Sequence, residues 1–189
     1  TVTDAVLWTL ILLAKHPDAR ERVRQEIISA VGVGTLSGGA LNDMPYLGRV
    51  FHEALRLYPS AWVFARTARE ADRFGKYHVP AGSMVVLSPY VTQRSPRFWD
   101  QPEAFKPDRF LPAEAALRPR FAYFPFGGGP RQCIGAGMAM IEAPLILAAI
   151  MQRFDFDLAS SGDVKPDPRL SLRPRGTVWL RLRAIGAGN

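Results

Sequence analysis

One thiol, Cys133, closes the stretch Phe126-Gly127-Gly128-Gly129-Pro130-Arg131-Gln132-Cys133-Ile134-Gly135, directly before a long apolar run. It is the single cysteine of the chain, so an internal disulfide is excluded, and the companion Cys and His spacing that zinc needs is missing. The surroundings offer one sulfur on a glycine-shaped loop. Glycines reach backbone angles closed to other residues and let the main chain approach a broad, flat ligand. A helix after the loop presents unpaired N–H groups and a positive dipole end, which favour an anionic sulfur. Arg131, two residues earlier, adds to that field and suits a ligand carboxylate. Together these features suit haem iron held by a cysteine thiolate. Two alternatives stand beside this one: an inert buried thiol, and a nucleophile partnered by His16, His52 or His78. None of the three histidines lies in a recognisable nucleophile setting. The glycine run is not a phosphate loop, because no Gly-Lys-Ser or Gly-Lys-Thr follows it.

Glu53 and Arg56 stand three residues apart in a helical stretch and therefore share a face. An exposed pair of that kind contributes little. A second arginine, Arg109, lies in Phe105-Lys106-Pro107-Asp108-Arg109-Phe110. If it folds back on Glu53 and Arg56, the three form a planar, multiply hydrogen-bonded network, since a guanidinium forks to a carboxylate. Such a network pins the intervening coil, and with it the cysteine loop, to the helix.

The elements that must position these residues are legible as periodicity and punctuation. Apolar residues at helical spacing predict a helix over 1–15, stopped by His16-Pro17-Asp18. Pro17 opens an amphipathic helix to about Ala30, with Val23, Ile27 and Ile28 on its apolar side. Gly32 to Gly39 reads as a surface turn, and Asn42 and Asp43 as caps for a helix over 45–57 ended by Tyr58-Pro59. Strands are expected at 62–68, 76–79 and 83–87. Between 89 and 131, eight prolines interleave with aromatic residues, which predicts a rigid coil packed by its own rings. A helix over 136–153 follows, then strands at 154–158, 170–173 and 177–183.

In order and spacing, these motifs resemble those of the C-terminal half of the cytochrome P-450 superfamily, along essentially the whole chain. The family's Phe-x-x-Gly-x-Arg-x-Cys-x-Gly loop is met at every fixed position from Phe126 to Gly135. Its Glu-x-x-Arg helix is met by Glu53-Ala54-Leu55-Arg56, and its Pro-Glu-Arg-Phe element by Pro107-Asp108-Arg109-Phe110, with Asp for Glu. The resemblance implies a mainly α fold with small β-sheets (α+β), the C-terminal portion of the cytochrome P-450 fold, as one partial domain over 1–189 without its N-terminal half. It implies Cys133 as axial ligand of haem b (iron protoporphyrin IX), Gly127 and Gly135 as glycines of the cofactor loop, and Phe126 beside the sulfur. Arg131 and Arg66 are implied at the haem propionates, Glu53, Arg56 and Arg109 as a structural clamp, and Val63 and Phe64 at the substrate pocket. Counting back from Trp8 and His16-Pro17, Thr1 falls on the oxygen-activating threonine, with Thr3 as the competing position.

The implied activity is insertion of one oxygen atom of dioxygen into an apolar organic substrate. Electrons would come from NAD(P)H through a ferredoxin or flavoprotein reductase. A family member that uses peroxide or rearranges hydroperoxides, and an inactive truncated fragment, are the alternatives. The chain begins at Thr1 inside an apolar helical run and reads as a piece of something longer. At 48% hydrophobic and 22% charged, it reads as a soluble globular protein. Its net charge of +7 first suggests a nucleic-acid surface, but the arginines are scattered through apolar segments, so an acidic protein partner is equally compatible; no nucleic acid is the expectation. No signal peptide is visible and no apolar stretch reads as long enough to span a bilayer, so a cytoplasmic location is expected, with an N-terminal anchor left open.

Overall fold

A computed structural model of the chain describes residues 1–159 and 162–185. Helix α1 (Val2–Lys15) buries Ala5, Val6 and an unbroken run from Trp8 to Leu13. Consecutive burial, rather than a single apolar stripe, marks a helix with neighbours on several sides. Those neighbours are α2 (Pro17–Val31), α3 (Pro45–Leu57), α6 (Ala136–Arg153), and the strands β5 (Phe154–Leu158) and β7 (Leu172–Pro174). The core between them is built from Leu10, Leu13, Ile27, Leu47, Phe51, Leu147 and their neighbours. Trp8 stacks flat on Tyr58, with ring centroids 3.8 Å apart and planes 4° apart, and its Nε1 donates to the Leu172 carbonyl at 3.0 Å.

The start of α3 departs from the sequence expectation. Asn42 and Asp43 do not cap it; residues Gly38–Asp43 wind into a 3-10 turn, and Met44 takes the N-cap position without a side-chain hydrogen bond. The N–H groups left open at the helix start are satisfied from α2 instead. The two carboxylate oxygens of Glu26 accept from the Tyr46 and Leu47 amides, each at 2.7 Å.

The strands form four antiparallel pairs. β1 (Phe64–Thr67) pairs with β4 (Met84–Leu87), β2 (Asp72–Phe74) with β3 (Tyr77–Val79), β5 with β8 (Leu180–Ala184), and β6 (Pro166–Pro168) with β7. The expected strands at 62–68, 76–79 and 83–87 are each shortened at their ends, and those at 170–173 and 177–183 are shifted toward the C-terminus. β2 and β6 lack any apolar alternation. β6 has proline at both ends, which a two-stranded edge tolerates. β5 and β8 are laced by charge, with Asp155 opposite Arg183 in register and their side chains 2.7 Å apart. The architecture is mixed helix and small sheets, as expected.

Between β4 and α6 the chain is a coil broken by α4 (Pro89–Thr92), α5 (Pro112–Ala116) and three short 3-10 turns. Its rings pack on one another: Trp99 is 2% exposed, and Phe110 meets Tyr123 edge-on at 4.9 Å. Helix α6 corrects the expectation about membrane-length segments. At 18 residues and mean hydropathy 1.2 it is long and apolar enough to cross a bilayer by length and composition. Its Ala143, Leu147 and Ala148 are nonetheless fully buried in the core against α1 and α2.

Candidate functional site

The chain turns tightly before Cys133. The Gly127 amide donates to the Phe124 carbonyl at 3.0 Å, the Gln132 amide to Gly129 at 3.0 Å, and the Cys133 amide to Phe126 at 3.0 Å. Gly127 sits at φ +73°, and a Cβ there would also rest against the Phe64 ring at 3.7 Å. A Cβ on Gly128 would meet the exposed Phe121 ring at 2.8 Å, so the ring lies close against the loop backbone there. The loop thus holds Cys133 with its side chain exposed, just before Gly135 and the first turn of α6. A Cβ on Gly135 would stand 3.8 Å from the Cys133 sulfur, so its absence keeps that flank of the thiol open.

The thiol borders a cavity of about 260 Å³ whose wall includes Thr1, Ala5, Leu55, Phe64, Phe126 and Gly135. Helices α1, α3 and α6 and strand β1 therefore meet at the cysteine loop. Thr1 lines this space and Thr3 does not. Val63 also stays off the wall, whereas Ser60 and Ala61 lie on it; the Ser60 hydroxyl donates to the Thr1 carbonyl at 2.9 Å. Arg66 and Arg131 stand outside it, both exposed, and neither pairs with an acidic side chain among the described residues. Arg66 donates from Nη1 to its neighbour's carbonyl at 2.8 Å. A larger hollow of about 650 Å³, between the end of α2 and the end of α6, shares no residue with the cysteine cavity.

Behind the loop, Glu53 and Arg56 are both fully buried, unlike the exposed pair that sequence spacing alone suggests. Arg56 Nε donates to Glu53 Oε2 at 2.7 Å and Nη2 to Oε1 at 2.9 Å, the forked geometry a guanidinium favours. Its remaining donors go to the carbonyls of Gln93, Pro102 and Ala104 at 2.7–3.1 Å. Arg109 joins less fully than a three-way hydrogen-bonded network requires. Its Nε is 3.4 Å from Glu53 Oε1, an ion pair without hydrogen-bond geometry, while Nη2 donates to the Gln101 carbonyl at 2.8 Å. The Lys106 amide takes the hydrogen-bonding position on Glu53 Oε1, at 2.8 Å. Burial lowers the pKa of Arg109, partly offset by Glu53.

An aromatic cluster lies on the other side of this clamp. The His52 ring stacks on Phe110 at 5.2 Å, and its Nδ1 lies 2.9 Å from the Tyr123 hydroxyl. The Arg118 guanidinium sits over Trp99 at 4.2 Å and over Phe110 at 4.8 Å. Burial, and then the positive charge of Arg118, push the His52 pKa down to about 4. Burial first, and Glu53 second, push Tyr123 well above the usual phenol range. Sequence reasoning passed over Gln93, Lys106 and Ser60, because backbone acceptors and a lone glutamine leave no motif.

Three comparisons bear on this arrangement. The family model described as Cytochrome P450 matches residues 1–181. Cyclooctatin synthase of Streptomyces melanosporofaciens is 39% identical over 172 residues, which cover 91% of this chain and 38% of that protein. Cytochrome P450 4V2 of Homo sapiens is 34% identical, over 99% of this chain and 36% of that one. The crystal structure of the cytochrome P450DA heme domain superposes with a TM-score of 0.93 at 29% identity, covering 98% of this chain and 42% of its own. The chain belongs to the cytochrome P450 family, one of haem-thiolate monooxygenases, and it spans less than half the length of these relatives. The residues fit a haem: an exposed thiol, a glycine-flattened loop, an apolar wall and two arginines without acidic partners among the described residues. Among those residues no cluster of His, Cys, Asp and Glu forms a competing metal site.

Proposed function

We infer that the chain is the haem-carrying C-terminal portion of a monooxygenase. The whole protein inserts one oxygen atom of dioxygen into an apolar organic substrate and reduces the other to water, using electrons from NAD(P)H passed through a ferredoxin or flavoprotein. The observation that carries this reading is that Cys133 and Thr1 border one apolar cavity. When bound, haem supplies the oxygen chemistry, and electron donation from a thiolate favours oxygen–oxygen cleavage.

The chain's own residues bind the group and move protons. The Cys133 sulfur would hold the iron, and Arg131 and Arg66 would each pair with a propionate. Phe126 lines the cavity wall together with the cysteine. Glu53, Arg56 and Arg109 clamp the coil that leads into the loop. Thr1 Oγ1 would hold and pass on a proton at the cavity wall, a position that Thr3 lacks. Phe64, Val2 and Met138 give the pocket an apolar lining suited to an apolar substrate. The net charge of +7 suits docking of an acidic electron donor.

The test is a carbon monoxide difference spectrum of the reduced full-length haem protein. A strongly red-shifted Soret band, typical of thiolate ligation, is expected, and Cys133→Ala should abolish it. A histidine-type spectrum in the unmutated protein overturns the assignment. Turnover with peroxide alone, and none with NAD(P)H plus a redox partner, would replace the monooxygenase reading with peroxide chemistry.

A further inference from the structure

The most completely used polar side chain outside the clamp is that of Gln93, just past α4 and fully buried. Its Nε2 donates to the Leu55 and Arg56 carbonyls, each at 3.0 Å. These belong to the last turn of α3, whose carbonyls have no partner within the helix. Its Oε1 accepts from the Phe124 amide at 2.9 Å. The Phe124 carbonyl in turn accepts from Gly127, and the Phe126 carbonyl from Cys133, both at 3.0 Å. One amide group thus joins the end of the Glu53–Arg56 helix to the turn that opens the cysteine loop. The main-chain carbonyl of Gln93 meanwhile accepts from Arg56 Nη1 at 2.8 Å.

The chemistry of this link is selective. Two donors and an acceptor on one planar head are found only in Gln and Asn, and Asn is a methylene shorter. A carboxylate would face two carbonyls with no proton to give, and an apolar chain would leave two carbonyls and an N–H unpaired in a buried place. Arg56 fixes the coil at 93–104 to the helix, but no hydrogen bond from Arg56 reaches 124–133. We propose that Gln93 is a positioning residue that sets the cysteine loop against α3, and so holds the Cys133 sulfur where it can ligate. This rests on the reading of Cys133 as the iron ligand.

Amide hydrogen exchange and the carbon monoxide spectrum, measured together on the full-length haem protein and its Gln93→Leu and Gln93→Asn variants, test it. Gln93→Leu should speed exchange in residues 124–133 roughly ten- to a hundredfold, while α1 stays within about twofold of the unmutated protein. The thiolate-type band should lose intensity to the histidine-type band in parallel. Gln93→Asn, which keeps the chemistry but not the reach, should fall between. A merely structural role would speed exchange in α1 and in 124–133 alike and leave the ratio of the two bands unchanged, and that overturns the proposal. If Gln93→Leu does not fold, Gln93→Asn with unmutated exchange in 124–133 overturns it equally. A histidine-type spectrum in the unmutated protein would remove the Cys133 reading alone, because the exchange comparison judges the Gln93 link without reference to haem.

Discussion

Arg56 carries its donors in a rigid fork, and the chain gives every one of them a partner: the Glu53 carboxylate and the carbonyls of Gln93, Pro102 and Ala104. A lysine could not reproduce this, having three donors on a point charge. Beside this fixed pair lies a group that titrates. His52 is half-buried between Phe110 and Tyr123 with Arg118 as the nearby charge, and its pKa falls to about 4 from an ordinary 6.5. Above pH 6.5 the imidazole is neutral whether the chain is folded or not. As the pH drops from 6.5 toward 4, the unfolded chain takes up a proton that the folded one refuses, so stability falls across that window. The loss should reach roughly 3 kcal/mol by pH 4. Urea unfolding at a series of pH values should show this slope, and His52→Gln, which does not titrate, should flatten it. An equal slope in the variant would mean that other groups carry the acid sensitivity. At this scale the sequence was eloquent about side chains paired with side chains and silent about side chains paired with backbone. Glu53 and Arg56 could be read from helical spacing. Their burial, and the role of Gln93, could not, because carbonyl acceptors are the same at every position.

At the scale of elements, helices and strands differ in where their stability comes from. Helices α1, α2, α3 and α6 match their expected spans within a residue or two, because their apolar spacing and prolines are local. β2–β3 and β6–β7 are short hairpins, whereas β1–β4 and β5–β8 join strands across long intervening segments. Strand ends are also set by distant contacts such as the Leu172 amide on the Ser60 carbonyl at 2.9 Å. No short window contains that information. The start of α3 shows the same limit inside a well-read helix, since its cap comes from Glu26 on α2. Glu26→Ala should therefore cost about 2 kcal/mol, by removing two charge-assisted bonds at a helix start. Asn42→Ala and Asp43→Ala, the caps that local sequence suggests, should stay within about 0.5 kcal/mol. Denaturant midpoints of the three variants decide the matter, and a larger loss in Asp43→Ala than in Glu26→Ala would contradict the assignment.

For the whole molecule, the decisive property is how one-sided the cysteine face is. Helices α1, α3 and α6 and strand β1 wall the cavity from one side, yet the Cys133 side chain is exposed and Ile134 beside it is fully open. Met138 on α6, which lines the cavity, is itself more than half accessible. A haem seated here would gain the thiolate bond and the two arginines, but it would bury little of its outer face against these residues. Apolar burial of the ligand is what normally holds such a group in place. The isolated 189-residue chain should therefore load haem weakly. After reconstitution and passage through a desalting column, the Soret absorbance should separate from the protein peak. The full-length protein, in which further chain can cover the outer face, should keep the two together. Stoichiometric haem co-eluting with the isolated chain would show that the thiolate, the propionate arginines and one apolar wall suffice for binding, and that the exposed apolar residues serve some other contact.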